Sequence, residues 1–198
     1  LLQDLNRRAA ELSCIQGEWG DAVDYYAAVR DWERVAEIVE RKGEELIRRG
    51  LLQTLRHWLE LVPEEQLVPR PMLLLLRGSL LRLSGRHQEA LSDLERALRG
   101  WRRRGQQAAT VRTQLEIAQC YHRMGEFQRV EAVLSEVAAR SRDDRALSGR
   151  VLAELSENSI DLDDLDQACR WAERAEAEAA MADPDAAVTI CLVRALRF

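Results

Sequence analysis

Residues 108–140 read AATVRTQLEIAQCYHRMGEFQRVEAVLSEVAAR, two segments of helical periodicity separated by Gly125-Glu126. Apolar and small side chains recur in both segments at the three- and four-residue spacing that places them on one face of a helix. Glycine ends a helix readily because it adopts the left-handed backbone conformation without a steric penalty. The stretch therefore predicts two antiparallel helices, 108–124 and 127–140, that pack as a pair.

The same turn recurs along the chain. A turn residue followed five positions later by a small or apolar residue occurs at Gly17, Gly50, Gly85, Gly125 and, with aspartate in place of glycine, Asp163. The intervals are 33, 35, 40 and 38 residues, which is the range of two-helix repeats. One repeat cannot bury its own apolar stripe, so neighbouring pairs must stack. We predict an all-α fold, a right-handed superhelix (α-solenoid) of stacked antiparallel helix pairs, and a binding scaffold, not an enzyme.

The helices before residue 63 are less regular. We expect them over 2–16, from a cap at Asp21, from a cap at Asp31, over 44–49, and from Leu51 to Val62. The segment 63–71 holds three of the four prolines and should allow one short helical turn. It is predicted to separate an irregular helical part, 1–62, from a repeat array, 72–198. In that array 72–84 pairs with 87–99, 146–162 pairs with 165–179, and the last pair is truncated.

Composition excludes several function classes. The 198 residues carry a net charge of −5 and are 46% hydrophobic. The only basic run is Arg102-Arg103-Arg104, so we expect no direct contact with nucleic acid. That run, with Trp101 stacked on a base, could instead bind phosphate, but arginines at a helix end before Gly105 are the simpler interpretation. The longest apolar run, 72–76, is too short to cross a bilayer.

No residue pattern predicts catalysis, a cofactor or a metal. The cysteines are far apart and are expected to be thiols in a reducing cytoplasm; they are Cys14, Cys120, Cys169 and Cys191. The histidines, His57, His87 and His122, lack metal-ligand spacing. The acidic run 161–166 lacks the glycine and glutamate of a calcium loop, so we interpret it as a helix-capping turn. No phosphate-binding loop of the type GxxxxGK[ST] is present.

Aligned on their turn residues, the pairs resemble the tetratricopeptide repeat. Seven residues before the turn, where that repeat has a small residue at a close helix crossing, this chain has Ala10, Gly78, Ala118 and Ser156. After the turn, its small–large–small series corresponds to Ala90, Leu94 and Ala97, to Val130, Leu134 and Val137, and to Ala168, Ala172 and Ala175. The resemblance implies close helix packing and no catalytic residue.

The N-terminal half resembles a second, more specific family. The matching segments are 5–11 (LNRRAAE), 21–23 (DAV), 31–36 (DWERVA), 55–60 (LRHWLE) and 70–71 (RP). They are similar to the large ATP-dependent LuxR-type transcriptional activators, the MalT-like regulators, over roughly residues 2–100. The resemblance implies an NTPase, a winged helix, an effector-binding superhelix and a DNA-binding helix-turn-helix. Because the chain starts without methionine and stops inside a helical pattern, we expect it to be the superhelix of a larger protein. The resemblance implies that residues 1–62 lead from the end of the winged-helix region into that superhelix.

The expected functional surface is the concave face, which in tetratricopeptide-like stacks is lined by the first helix of each pair. Positions six and three residues before the turn, with positions further up the same helices, give the candidate binding residues Ser79, Arg82, Arg112, Gln119, His122, Arg150 and Glu157. Such a mixed apolar and hydrogen-bonding groove suits a peptide, a partner helix or a small polar ligand.

Two functions follow as hypotheses. The first is a cytoplasmic regulatory domain that binds a small-molecule inducer or a protein partner and passes its occupancy to the NTPase and DNA-binding domains of the same chain. The alternative is a stand-alone tetratricopeptide-type scaffold for protein–protein interaction. An all-helical enzyme is a third, less favoured reading, and homo-oligomer formation is left open.

Overall fold

The structure, a computed structural model, describes residues 1–140 and 145–179, and all regular elements within those ranges are α-helices. The helices are α1 (Leu2–Gln16), α2 (Trp19–Ala28), α3 (Trp32–Arg48), α4 (Leu52–Leu61), α5 (Glu64–Leu67), α6 (Pro71–Leu83), α7 (His87–Arg103), α8 (Gln107–Arg123), α9 (Phe127–Arg140), α10 (Arg145–Asp161) and α11 (Leu165–Ala179). The all-α prediction is confirmed. Cys191 lies outside the described residues.

The chain divides into two compact units, residues 1–106 and residues from 107 onward. In the first unit α1 packs on α2, α3 on α4, and α6 on α7, while the single turn α5 contacts α3 and α6. In the second unit α8 packs on α9 and α10 on α11, and α9 also packs on α10. The predicted boundary at 63–71 concerns a change in repeat type and stays a prediction; that segment lies inside the first unit.

The predicted turn residues adopt the left-handed conformation. Their φ angles are 81° at Gly17, 71° at Gly50, 77° at Gly85, 73° at Gly125 and 61° at Asp163. After each of them, the next residue donates its backbone N–H to the carbonyl five positions earlier, at 2.8 to 3.0 Å. This bond closes the helix end and satisfies a carbonyl that has no partner within the helix. The sequence therefore placed all five turns correctly.

Two further turns use the same closure. Gln106 donates to the carbonyl of Trp101 after Gly105, and Asp31 donates to the carbonyl of Tyr26 after Arg30. Arg30 has a φ of 57°, a conformation that is costly for a residue with a Cβ. These turns connect one helix pair to the next, and the second carries no glycine to mark it.

The small residues lie where the helices of each pair cross. Ala10, Ala118 and Ser156 are at most 1% exposed. The residues of the small–large–small series in α7, α9 and α11 are at most 4% exposed. A Cβ at Gly78 would lie 2.7 Å from Leu94 Cγ, so the α6–α7 crossing has no room for a side chain. Ser156 donates its hydroxyl to the Ala168 carbonyl at 2.8 Å. The predicted packing positions are confirmed.

Three predicted helix limits are wrong. Helix α2 begins at Trp19 and not at an Asp21 cap, because the left-handed Gly17 alone reverses the chain. Helix α3 runs without a break through Gly43, which is buried against Leu76 where a larger residue would not fit. Helix α7 extends to Arg103, four residues beyond the predicted limit.

Ion pairs and hydrogen bonds hold the proline-containing segment, 63–71, against neighbouring helices of the first unit. The Arg77 guanidinium donates to Asp93 Oδ2 at 2.6 Å and to Glu64 Oε2 at 2.8 Å. Asp93 is 5% exposed, so this carboxylate is buried with its charge fully paired. Arg70 donates to Glu40 Oε2 at 3.2 Å, and Arg104 donates to the Pro69 carbonyl at 2.9 Å. Side-chain contacts therefore hold α5 and its flanks in place.

The turn closures predict opposite effects of two substitutions. Gly125→Ala should destabilise the protein by about 1 to 2 kcal/mol, because a Cβ is disfavoured at this φ although no neighbouring atom obstructs it. Asp163→Gly should stabilise it by less than about 1 kcal/mol, because the same strain is removed. Chemical denaturation of the purified variants measures both changes.

Gly20→Ala is the control for backbone effects. Gly20 lies in α2 with no atom near its missing Cβ and no positive φ, so alanine should leave stability unchanged or raise it slightly. Equal destabilisation by Gly20→Ala and Gly125→Ala would contradict the turn assignment.

The Arg77 pairing predicts a pH effect at Glu64. Hydrogen bonds from Arg77 lower the pKa of Glu64 in the folded state, so its stabilising contribution is present above the unfolded-state pKa and is lost as the pH falls through the folded-state pKa. Between about pH 7 and pH 3, the Glu64→Gln variant should lose less stability than the wild type. The Glu65→Gln variant, which changes an adjacent carboxylate with no described partner, should follow the wild-type curve. Identical curves for all three proteins would contradict the pairing.

Candidate functional site

The structure separates the predicted binding residues by exposure. Ser79 is only 4% exposed, so it offers almost no surface to a ligand. Arg82 and Gln119 are half-buried, whereas Arg112 and Glu157 are exposed. Arg150 falls on α10, but its side chain lies outside the described part of the structure. The prediction that these residues form one ligand site stays a prediction.

His122 is engaged with the next helix pair. Its Nε2 lies 2.7 Å from Asp161 Oδ2, and its ring meets the Phe127 ring edge-on with centroids 5.6 Å apart. Asp161 follows Glu157 by one helical turn, and Gln119 precedes His122 by three residues on α8. The C-terminal ends of α8 and α10 are therefore joined by this side-chain contact, which involves one of the predicted residues, His122.

The first unit contains a cleft of about 520 Å³ between α1, α2 and α3. We call it the α1–α3 cleft. Its lining residues are Glu11, Cys14 and Ile15 from α1, Trp19 and Tyr26 from α2, and Arg34, Glu37, Ile38 and Arg41 from α3. The α3 residues fall at helical spacings of three and four, so they form one face of that helix.

The floor of the α1–α3 cleft is apolar and its mouth is open. Tyr26 and Ile38 are each 7% exposed, whereas Ile15 is 82% exposed at the edge. Burial raises the pKa of the Tyr26 phenol, and the nearby Cys14 and Glu11 add to the shift, so the phenol is neutral at physiological pH. An apolar floor with a few polar groups at the rim is typical of a binding cleft.

Trp19 forms part of the wall of the α1–α3 cleft, and its side chain is half-buried. The Arg41 guanidinium lies 4.3 Å from the ring centroid and Lys42 Nζ lies 4.8 Å from it. Cation–π attraction of this kind holds long cationic side chains against an aromatic surface. Trp58 and Trp101, in contrast, are 3% and 6% exposed and belong to the core.

The rim of the cleft carries one acidic and one basic side chain that have no ion-pair partner among the described residues. Arg34 pairs with Glu37 at 2.8 Å on the same helix. Within residues 1–140 and 145–179, Glu11 has no hydrogen bond or ion pair, and Arg41 has no carboxylate partner. The rim can therefore accept one cationic and one anionic group from a ligand.

The sequence contained a signal for this cleft that the prediction did not use. Glu11 and Cys14 stand six and three residues before Gly17, the spacing that selected Gln119 and His122 before Gly125. Both line the α1–α3 cleft. Selecting the positions six and three residues before the turn residue in the first helix pair, as was done for the later pairs, would have identified Glu11 and Cys14. The α3 residues carry no such signal, because they lie further from their own turn.

Other predicted surfaces have structural roles. Arg102 and Arg103 form the last turn of α7 before the left-handed Gly105, and the burial of Trp101 prevents a base from stacking on it. In the acidic turn, Asp164 Oδ1 accepts a hydrogen bond from the Gln167 amide at 2.9 Å, which is the expected helix cap. The described residues contain no cluster of three potential metal ligands. No helix in the described ranges combines the length and apolar character needed to cross a membrane.

The profile of the tetratricopeptide repeat matches residues 70–143. A MamA protein superposes with a TM-score of 0.68 at 13% identity, covering 89% of this chain and 91% of that chain. The Cut9–Hcn1 assembly of the APC/C superposes with a TM-score of 0.65 at 14% identity, covering 93% of this chain and 34% of that chain. A Rap protein complexed with competence and sporulation factor superposes with a TM-score of 0.60 at 14% identity, covering 99% of this chain and 58% of that chain. No curated protein matches the sequence.

The chain contains a tetratricopeptide-like repeat domain. These neighbours confirm the predicted solenoid class of stacked helix pairs. Because their sequence identities are low, the similarity establishes the fold and no function. The fold is typical of non-catalytic scaffolds for protein–protein interaction. The three neighbours described above are not LuxR-type regulators, and the assignment to that family is therefore a proposal.

The His122–Asp161 contact predicts energetic coupling between α8 and α10. His122→Gln and Asp161→Asn should each lower the free energy of unfolding. The loss in the double variant should be smaller than the sum of the two single losses by about 0.5 kcal/mol, which is the usual interaction energy of a partly exposed pair. Urea denaturation of the four proteins measures the coupling. Gln119→Ala combined with Asp161→Asn is the control and should be additive. Additive losses in the His122 cycle would contradict the contact.

Proposed function

We propose that this chain is a protein–protein interaction scaffold that binds an amphipathic helical segment of a partner protein in the α1–α3 cleft. The observation that carries the proposal is the combination of an exposed apolar edge at Ile15 with a rim whose Glu11 and Arg41 lack charge partners among the described residues. A helix with one apolar ridge and charged flanks matches both features.

The apolar edge extends beyond the cleft along α1. Leu12 is 58% exposed and Leu5 is 55% exposed, and their spacing of seven residues places them on one face of the helix. Together with Ile15 they form an apolar strip beside the cleft. Large apolar side chains grouped on a surface mark interaction sites more often than single exposed ones do.

The charges define the flanks of the expected partner. A carboxylate on one side of the partner helix would pair with Arg41, which Trp19 already holds in position. A lysine or arginine on the other side would pair with Glu11. Such rim pairs contribute mainly to specificity and orientation, while the apolar ridge supplies most of the affinity.

Selection from a displayed library of amphipathic 15-residue helices tests this function. Selected helices should share an apolar ridge with an acidic and a basic flank, and Ile15→Glu should weaken them at least about tenfold. Leu83→Glu is the control, because Leu83 is 44% exposed at the end of α6, away from the cleft. Selected helices that bind both variants as tightly as the wild type would contradict the proposed site.

A second candidate function is favoured by the sequence pattern of residues 2–100. We propose the regulatory domain of a bacterial LuxR-type, MalT-like activator, in which a small-molecule inducer or a protein partner shifts the activity of NTPase and DNA-binding domains elsewhere in the same protein. The support is the set of matching segments, of which Asp31 caps α3 through the Arg34 amide and Pro71 occupies the first position of α6.

The two functions differ in their response to metabolites. An inducer domain should be stabilised by about 2.7 kcal/mol at a hundredfold excess of ligand over its dissociation constant, which thermal unfolding with a panel of small polar metabolites detects. The flanking reading frame should also encode a phosphate-binding loop and a helix-turn-helix. Absence of both features and of any thermal shift would leave the scaffold function alone.

A further inference from the structure

A second, smaller cavity of about 150 Å³ lies between α4 and α6. We call it the arginine pocket. Its polar lining consists of Arg56, Glu60, Arg77, Ser84 and Arg86, and leucines of α4 and α6 form its floor. None of these residues lines the α1–α3 cleft.

Arg56 is the unusual member of the pocket. Its Nη2 donates to Ser84 Oγ at 3.2 Å, and its Nε is buried with no hydrogen-bond partner. Among the described residues, no carboxylate pairs with its guanidinium. A buried donor without an acceptor is unfavourable, and Arg56, the residue that carries it, lines the pocket.

The other two arginines differ in free capacity. Asp93 and Glu64 together use all three nitrogens of Arg77, so Arg77 serves the fold. Arg86 uses Nε and Nη2 for Glu89, which leaves its Nη1 free. The Ser84 hydroxyl donates to the Leu80 carbonyl at 2.8 Å and accepts from Arg56. The available donors are therefore on Arg56 and Arg86.

We propose that the arginine pocket binds one anionic group, a phosphate or a carboxylate, between Arg56 and Arg86. The planar guanidinium of Arg56 offers two donors to two oxygens of the same anion. The volume corresponds to a few water molecules, enough for a single oxoanion and too small for a nucleotide. The leucine floor lowers the local dielectric and strengthens the contact.

Glu60 opposes this binding and makes the proposal more specific. Its carboxylate lines the same cavity and has no partner among the described residues, although Arg56 stands one helical turn before it. An anion in the pocket would be repelled by Glu60. Removing this charge should therefore strengthen binding, an effect that a purely structural role of Arg56 does not predict.

Nuclear magnetic resonance of the arginine Nε–Hε groups tests the proposal, with inorganic phosphate and acetate as probes. The Arg56 signal should shift saturably, Arg56→Gln should abolish binding, and Arg56→Lys should weaken it at least about tenfold because the two-donor geometry is lost. Glu60→Gln should strengthen binding severalfold. Arg48→Gln, which removes an exposed arginine of α3, is the control and should bind like the wild type.

Peptides containing phosphoserine or glutamate distinguish the source of the anion. Binding tighter than that of the free ions would assign the pocket to a partner protein, and equal binding would assign it to a free ion. The proposal is overturned if neither ion shifts the Arg56 signal saturably, or if a folded Arg56→Gln variant binds as the wild type does. Circular dichroism and thermal unfolding establish that each variant is folded.

Discussion

The fold depends on the left-handed turn residue and the backbone hydrogen bond that follows it. Each helix end leaves carbonyls without intrahelical partners, and a residue with positive φ lets the next amide return to the carbonyl five positions earlier. Ser13, Leu46, Leu81, Tyr121 and Ser159 provide that carbonyl in the five pairs. Because the same closure is used each time, the second helix of each pair starts in the same direction relative to the first.

That direction brings small residues into contact at the crossing. Gly78 against Leu94 and Ser156 against the Ala168 carbonyl show how little space separates the paired helices. Close pairing buries one face of each helix and leaves the opposite face of α1 and α3 available. The α1–α3 cleft forms on those faces, with Tyr26 of α2 as part of its floor. The binding surface therefore follows from the way in which the pairs are closed.

The sequence predicts local features better than features that depend on several elements. The turn residues and the small positions before them were predictable, because glycine and alanine have direct backbone and packing reasons to occur there. Arg30 was not, since a charged residue with positive φ carries no sequence signal. Gly43 was misread because a glycine inside a helix and a glycine after one look alike until the opposing Leu76 is known.

The candidate sites show the same limit. Glu11 and Cys14 could have been predicted from their spacing of six and three residues before Gly17. Arg34 and Arg41, in contrast, line the cleft only because α3 packs on α2. The burial of Ser79 could not be derived from its distance to Gly85. The network around Arg77 joins α5, α6 and α7, and no local pattern announces such a combination.

Amide hydrogen exchange on the folded protein measures the central claim most directly. The account predicts that the amides of Glu18, Leu51, Arg86, Glu126 and Asp164, each just after a turn residue, exchange slowly, like amides inside the neighbouring helices. Exchange of these amides at the rate of an unstructured chain, beside protected helices, would contradict it.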